Sequence, residues 1–72
     1  MFTIYSKDQC AKCNQAKMLL DMKGVDYDVK MLGKDFEREF VLSLEPTPRE
    51  FPVVFKGEEF VGGLNELKKL VA

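Results

Sequence analysis

Five glycines and three prolines, Gly24, Gly33, Pro46, Pro48, Pro52, Gly57, Gly62 and Gly63, cut this chain of 72 residues into short pieces. A chain punctuated in this way has to build its fold from brief alternating elements around one small core. Ahead of the first break, Phe2–Tyr5 is apolar, aromatic and β-branched, which predicts a strand, and Ser6–Gln9 is a polar interruption. Ala11–Lys23 then reads as a helix, with Ala16, Leu19, Leu20 and Lys23 on one side and Gly24 as its stop. Tyr27, Val29 and Met31 alternate with Asp26, Asp28 and Lys30, the pattern of a half-exposed strand. Lys34–Leu44 is expected to be a second amphipathic helix, with Phe36, Phe40, Val41 and Leu44 inward and Glu37 and Glu39 outward. Pro46 and Pro48 end it and force an extended loop through Arg49 and Glu50. Pro52–Phe55 and Glu59–Val61 are strands joined by a tight turn at Lys56-Gly57-Glu58, and Leu64–Val71 is a closing helix that buries Leu64, Leu67, Leu70 and Val71.

The resulting order, βαβαββα, is that of an α/β domain. The first two strands run parallel through a right-handed helical crossover and the last two form an antiparallel hairpin. This predicts a four-stranded mixed sheet flanked by helices, one domain over residues 1–72. A chain this short buries only about 60% of the surface it exposes when unfolded. The net charge of −1 gives no global attraction to nucleic acid or to acidic membranes. Lys7, Asp8 and Gln9 interrupt the N-terminus after a few apolar residues, so neither a signal peptide nor a membrane span is read, and the expectation is a soluble cytoplasmic protein.

In that compartment thiols are kept reduced, so two cysteines argue for reactivity or metal rather than for a staple. A bridge from Cys10 to Cys13 would close a loop worth only about 2 kcal/mol of chain entropy, against about 4.7 for a 100-residue loop. Cys10-Ala11-Lys12-Cys13 falls where the first strand gives way to the first helix. A helix start exposes unpaired N–H groups and roughly half a positive charge, and both favour a thiolate over a thiol. Lys7 and Lys12 add positive charge nearby, and residues 1–34 as a whole carry six lysines against four acids. The chain has no histidine, so activation of Cys10 falls to the backbone and the lysines. Cys13, one turn further on, suits the role of resolving cysteine. The competing readings are half of a zinc site shared between two chains, and two inert buried thiols. Zinc takes four ligands and one chain offers two soft ones.

The stretch Ile4-Tyr5-Ser6-Lys7-Asp8-Gln9-Cys10-Ala11-Lys12-Cys13 resembles the active-site segment of the glutaredoxin family. Gly24-Val25-Asp26-Tyr27 is similar to the approach to that family's second strand, Phe51-Pro52-Val53-Val54-Phe55 to its strand opened by a cis-proline, and Val61-Gly62-Gly63-Leu64-Asn65-Glu66-Leu67 to its closing Gly-Gly motif. The resemblance runs through nearly the whole chain and looks like the small phage or bacterial dithiol kind. It implies a thioredoxin fold, a cis bond between Phe51 and Pro52, and a Phe51 backbone set beside Cys10 to pair with extended glutathione or peptide. It further implies that Lys7 and Arg49 reach the glycine carboxylate of glutathione, that N–H groups of Leu64 and Asn65 hold the γ-glutamyl carboxylate, and that Gly62 and Gly63 allow close approach. Lys12 stands where the family often has a groove-lining aromatic, and Asn65 where it often has aspartate. By the same resemblance the chain is a monomer with no bound cofactor. It takes electrons from glutathione and passes them to protein disulfides, ribonucleotide reductase among them. Three alternatives remain: a glutaredoxin-like carrier reduced by thioredoxin reductase, a cysteine-bridged metal-binding dimer, and a redox-inactive binding domain.

Overall fold

Alternation along the first strand divides the molecule into two faces. The computed structural model describes residues 1–45, 47–48 and 50–71, and its elements are β1 (Phe2–Ser6), α1 (Ala11–Met22), β2 (Tyr27–Met31), α2 (Arg38–Leu42), β3 (Val53–Lys56), β4 (Glu59–Gly62) and α3 (Leu64–Val71). The sheet order is β2-β1-β3-β4, with β1 parallel to β2 and antiparallel pairs β1–β3 and β3–β4. This is the four-stranded mixed sheet read from the element order, and the thioredoxin fold that the resemblance implies.

On one face of the sheet, Phe2, Ile4 and Val54 pack with Ala16 and Leu20 of α1 and Leu64 and Leu67 of α3 into the main core. Tyr5 points the other way, as the period of two requires. There it meets Phe36 at 5.0 Å, Phe40 at 4.8 Å and Phe55 at 5.5 Å between ring centroids, a layer of aromatic rings on the second face. Centroid spacings of this size lie within the favourable range for aromatic pairs.

α1 ends in a Schellman motif. Gly24, at φ 68, follows the cap residue Lys23, its N–H reaches the Asp21 carbonyl, and the Val25 N–H reaches that of Leu20. Val25 is thereby returned to the core beside Leu20. Lys23 is exposed, not on the buried side, because the helix has already ended at Met22.

The second helix is much shorter than the 34–44 pattern predicts, only Arg38–Leu42. The Asp35 carboxylate accepts the Met31 N–H at 2.9 Å, and the Gly33 N–H donates to the Phe36 carbonyl at 2.8 Å. These bonds hold residues 31–36 in a turn, since a short carboxylate side chain competes with helical pairing. Within this region Val41 is buried and Phe40 remains 36% exposed. Leu70, expected inside, is 48% exposed on α3, whose buried line is Leu64 and Leu67. β1, β3 and β4 each extend one residue beyond the sequence reading, to Ser6, Lys56 and Gly62, and β3 begins at Val53.

Candidate active site

Cys10 is the N-cap of α1. Its backbone is extended (φ −114, ψ 102), its Sγ accepts the Cys13 N–H at 3.2 Å, and its carbonyl accepts the Asn14 N–H at 3.2 Å. The first turn of α1 holds no acidic side chain, so nothing within it offsets the positive end of the helix. Gln9, just before, adopts φ 54, a left-handed conformation uncommon outside glycine, and so turns the chain from β1 into the cap. Cys10 and Cys13 are joined as a disulfide, with their Cα atoms 5.2 Å apart. Their surroundings differ: Cys10 is partly exposed, whereas Cys13 is 1% exposed beneath the start of α1. Only the first sulfur can be met by a partner, and only the second is sheltered close behind it. That is the geometry of a nucleophile and its resolving thiol.

Beside the pair lies an open groove of about 460 Å³. Lys12 forms one end, the loop segment Thr47-Pro48 with Glu50, Phe51 and Pro52 forms a wall, and Gly62, Gly63, Leu64 and Asn65 form the far end. The Phe51–Pro52 peptide bond is cis. The groove therefore gathers seven of the residues proposed from sequence for substrate binding: Lys12, Phe51, Pro52, Gly62, Gly63, Leu64 and Asn65. Lys7 does not line it. Its ammonium sits 5.8 Å from the centre of the Phe51 ring, a cation–π contact that engages it there. Arg49 lies outside the described residues.

Two acidic residues that the sequence reading did not propose for the site also line the groove. Glu50 pairs with Lys12, Nζ to Oε1 2.7 Å. Glu66 accepts the Gly63 N–H at 2.7 Å. With Gly63 capping α3, Glu66 is the third helical residue, so its carboxylate returns to the cap as in one half of a capping box. The spacing from Gly63 to Glu66 was the available signal. The negative charge missing at Asn65 is thus present one residue later. Gly62, at φ 131, makes room for it: a Cβ there would stand 2.7 Å from Glu66 Cγ.

A glutaredoxin family model matches residues 2–61, which take in the cysteine pair, the groove wall and β4 as far as Val61. The chain belongs to the glutaredoxin family. It is 37% identical to monothiol glutaredoxin-S1 of Arabidopsis thaliana over 93% of this chain and 69% of that protein. Among solved structures it resembles a buckwheat glutaredoxin–glutathione complex (TM-score 0.76, 27% identity, 94% of this chain and 64% of that one). It also resembles NrdH-redoxin of Escherichia coli, described as a glutaredoxin-like protein with a thioredoxin-like activity profile (TM-score 0.71, 25% identity, 96% and 92%). This glutaredoxin is thus of the thiol–disulfide oxidoreductase type, and unlike a monothiol protein it pairs Cys10 with a second cysteine, Cys13. Among the described residues no group of three or more histidines, cysteines or acids is placed to hold a metal ion.

Proposed function

We propose that this glutaredoxin is a monomeric cytoplasmic dithiol electron carrier, recharged by glutathione, that reduces protein disulfides, ribonucleotide reductase being one recipient. The carrying observation is the unequal placement of the two sulfurs at the mouth of α1, one accessible and one buried. In the forward cycle the Cys10 thiolate attacks a substrate sulfur, the substrate disulfide breaks, and one substrate thiolate leaves and takes a proton. Cys13, deprotonated, then attacks Cys10 Sγ, releases the second substrate thiolate, and leaves the Cys10–Cys13 disulfide. Two glutathione thiols return the electrons and leave as glutathione disulfide. The likeness to the buckwheat complex and the groove between Pro52 and Gly63 support glutathione in this role.

A second reading, recharging by thioredoxin reductase, draws on one specific observation. Lys12 and the Gly63 N–H, a cation and a backbone donor lining the groove, are held by the chain's own Glu50 and Glu66. The likeness to NrdH-redoxin points the same way. NADPH consumption with a protein disulfide as acceptor separates the two. Turnover with glutathione and glutathione reductase supports the first reading, and turnover with thioredoxin reductase alone supports the second. Cys10→Ser abolishes both, and survival of reductase activity in that variant would remove Cys10 from the mechanism.

A further inference from the structure

One end of the groove is tied to its loop wall. Lys12 reaches from between the two cysteines and Glu50 from the loop before Phe51, 38 positions later in the chain, and their charged atoms meet at 2.7 Å. Their side chains are 52% and 67% exposed, so water screens the pair and it opens readily. A contact so weak adds little to the fold. Its influence falls on whatever enters the groove.

Among the described residues the charges there are not balanced. Among the described residues lining the groove, Lys12 is the one cation, while Glu50 and Glu66 are both acids. An incoming carboxylate must take Lys12 from Glu50 and then remain close to two carboxylates. An incoming ammonium or guanidinium is received by Glu50 directly, and the displaced Lys12 side chain turns into water. We infer that Glu50 is a specificity-determining residue: by holding Lys12 it turns the groove against carboxylate-bearing disulfides and toward polypeptide segments with a basic side chain beside the half-cystine. This rests on the dithiol exchange proposed above, and of the two electron sources it favours thioredoxin reductase, because glutathione would bring its carboxylates into the same groove.

The test uses the full chain, pre-reduced and freed of reductant, mixed with excess cystamine or 3,3′-dithiodipropionate at low salt. Loss of protein thiols gives a rate constant for each, divided by that of 2-mercaptoethanol with the same disulfide. The quantity read is the ratio of the cationic to the anionic rate. Glu50→Gln lowers that ratio by about 1.5- to fivefold, the size expected of an exposed charge contact. Raising the salt to about 0.5 M shrinks the difference, because the screening length contracts to a few ångströms. In a Lys12→Gln background the gain in the anionic rate on going from Glu50 to Gln is smaller, since no ammonium remains to be set free. Glu58→Gln, the same charge change at the exposed β3–β4 turn, leaves the ratio where it was. A Glu50→Gln ratio that moves no further than that of Glu58→Gln overturns the inference, as does a gain in the anionic rate of equal size with and without Lys12. A wild-type chain whose thiols consume neither disulfide shows as a missing rate rather than a flat ratio, and overturns the dithiol reading and this one together.

Discussion

Cys10 closes the first turn of α1 through its sulfur and carbonyl, and its sulfur is also the atom that the proposed exchange offers to a substrate. The bond from the Cys13 N–H to that sulfur is charge-assisted once the disulfide opens and Cys10 ionises, so the same geometry that caps the helix stabilises the thiolate. At the other end of the groove, Gly62 works by what it lacks. Its φ of 131 and the 2.7 Å from its absent Cβ to Glu66 Cγ leave no room for a side chain. Gly62→Ala is expected to cost about 1–3 kcal/mol, through backbone strain and displacement of the Glu66 carboxylate. A urea titration reads the loss, and an unchanged midpoint would show that the loop yields freely. The two ends of the groove differ in how far the chain discloses them. Cys10 and Cys13 stand one turn apart and declare themselves. Glu66 keeps a capping-box interval from Gly63 and is equally local, but attention to Asn65 passes over it. Lys12 and Glu50 come together only through the fold, and no pattern in the chain relates them.

Among the elements, those with a clear period and a clear stop were readable. α1 has its apolar side and Gly24, β2 its strict alternation, and α3 its Leu64 and Leu67. α2 was not, because Phe36, Phe40 and Val41 fit a helical face while the Asp35 carboxylate diverts the backbone before it. A side chain that captures a nearby N–H leaves no trace in a hydrophobic pattern. Between α1 and β2, the Tyr27 hydroxyl donates to Asp21 Oδ1 at 3.0 Å. Burial first, then the hydrogen bond and the negative charge of Asp21, raise the Tyr27 pKa above its ordinary 10.0. The fold therefore favours the neutral phenol. Its contribution is whole below the unfolded value, near 10, and is lost as pH climbs through the raised native one. The urea midpoint should fall above pH 10 in the native chain and fall less in Tyr27→Phe. Parallel curves would remove the link from the stability of the fold.

For the whole molecule, the main core is small and shared by α1, α3 and the sheet, so few residues carry it. Leu20 is fully buried among them. Leu20→Ala should cost about 2–5 kcal/mol, a large part of the roughly 4–11 kcal/mol expected for a chain of this length. At about 4–8 °C per kcal/mol for a domain of this size, the Tm should drop by ~10 °C or more. Calorimetry on the oxidised chain checks it, and a drop of only a few degrees would mean that the site collapses to fill the space.

The shelter given to Cys13 also sets an order of events that no active-site base has to impose. An alkylating reagent added to the reduced chain would mark the outer sulfur and leave the inner one untouched until the structure opens. In the proposed exchange a bulky protein faces the same constraint: it can be captured from outside, and it can be let go only by an attack that comes from within.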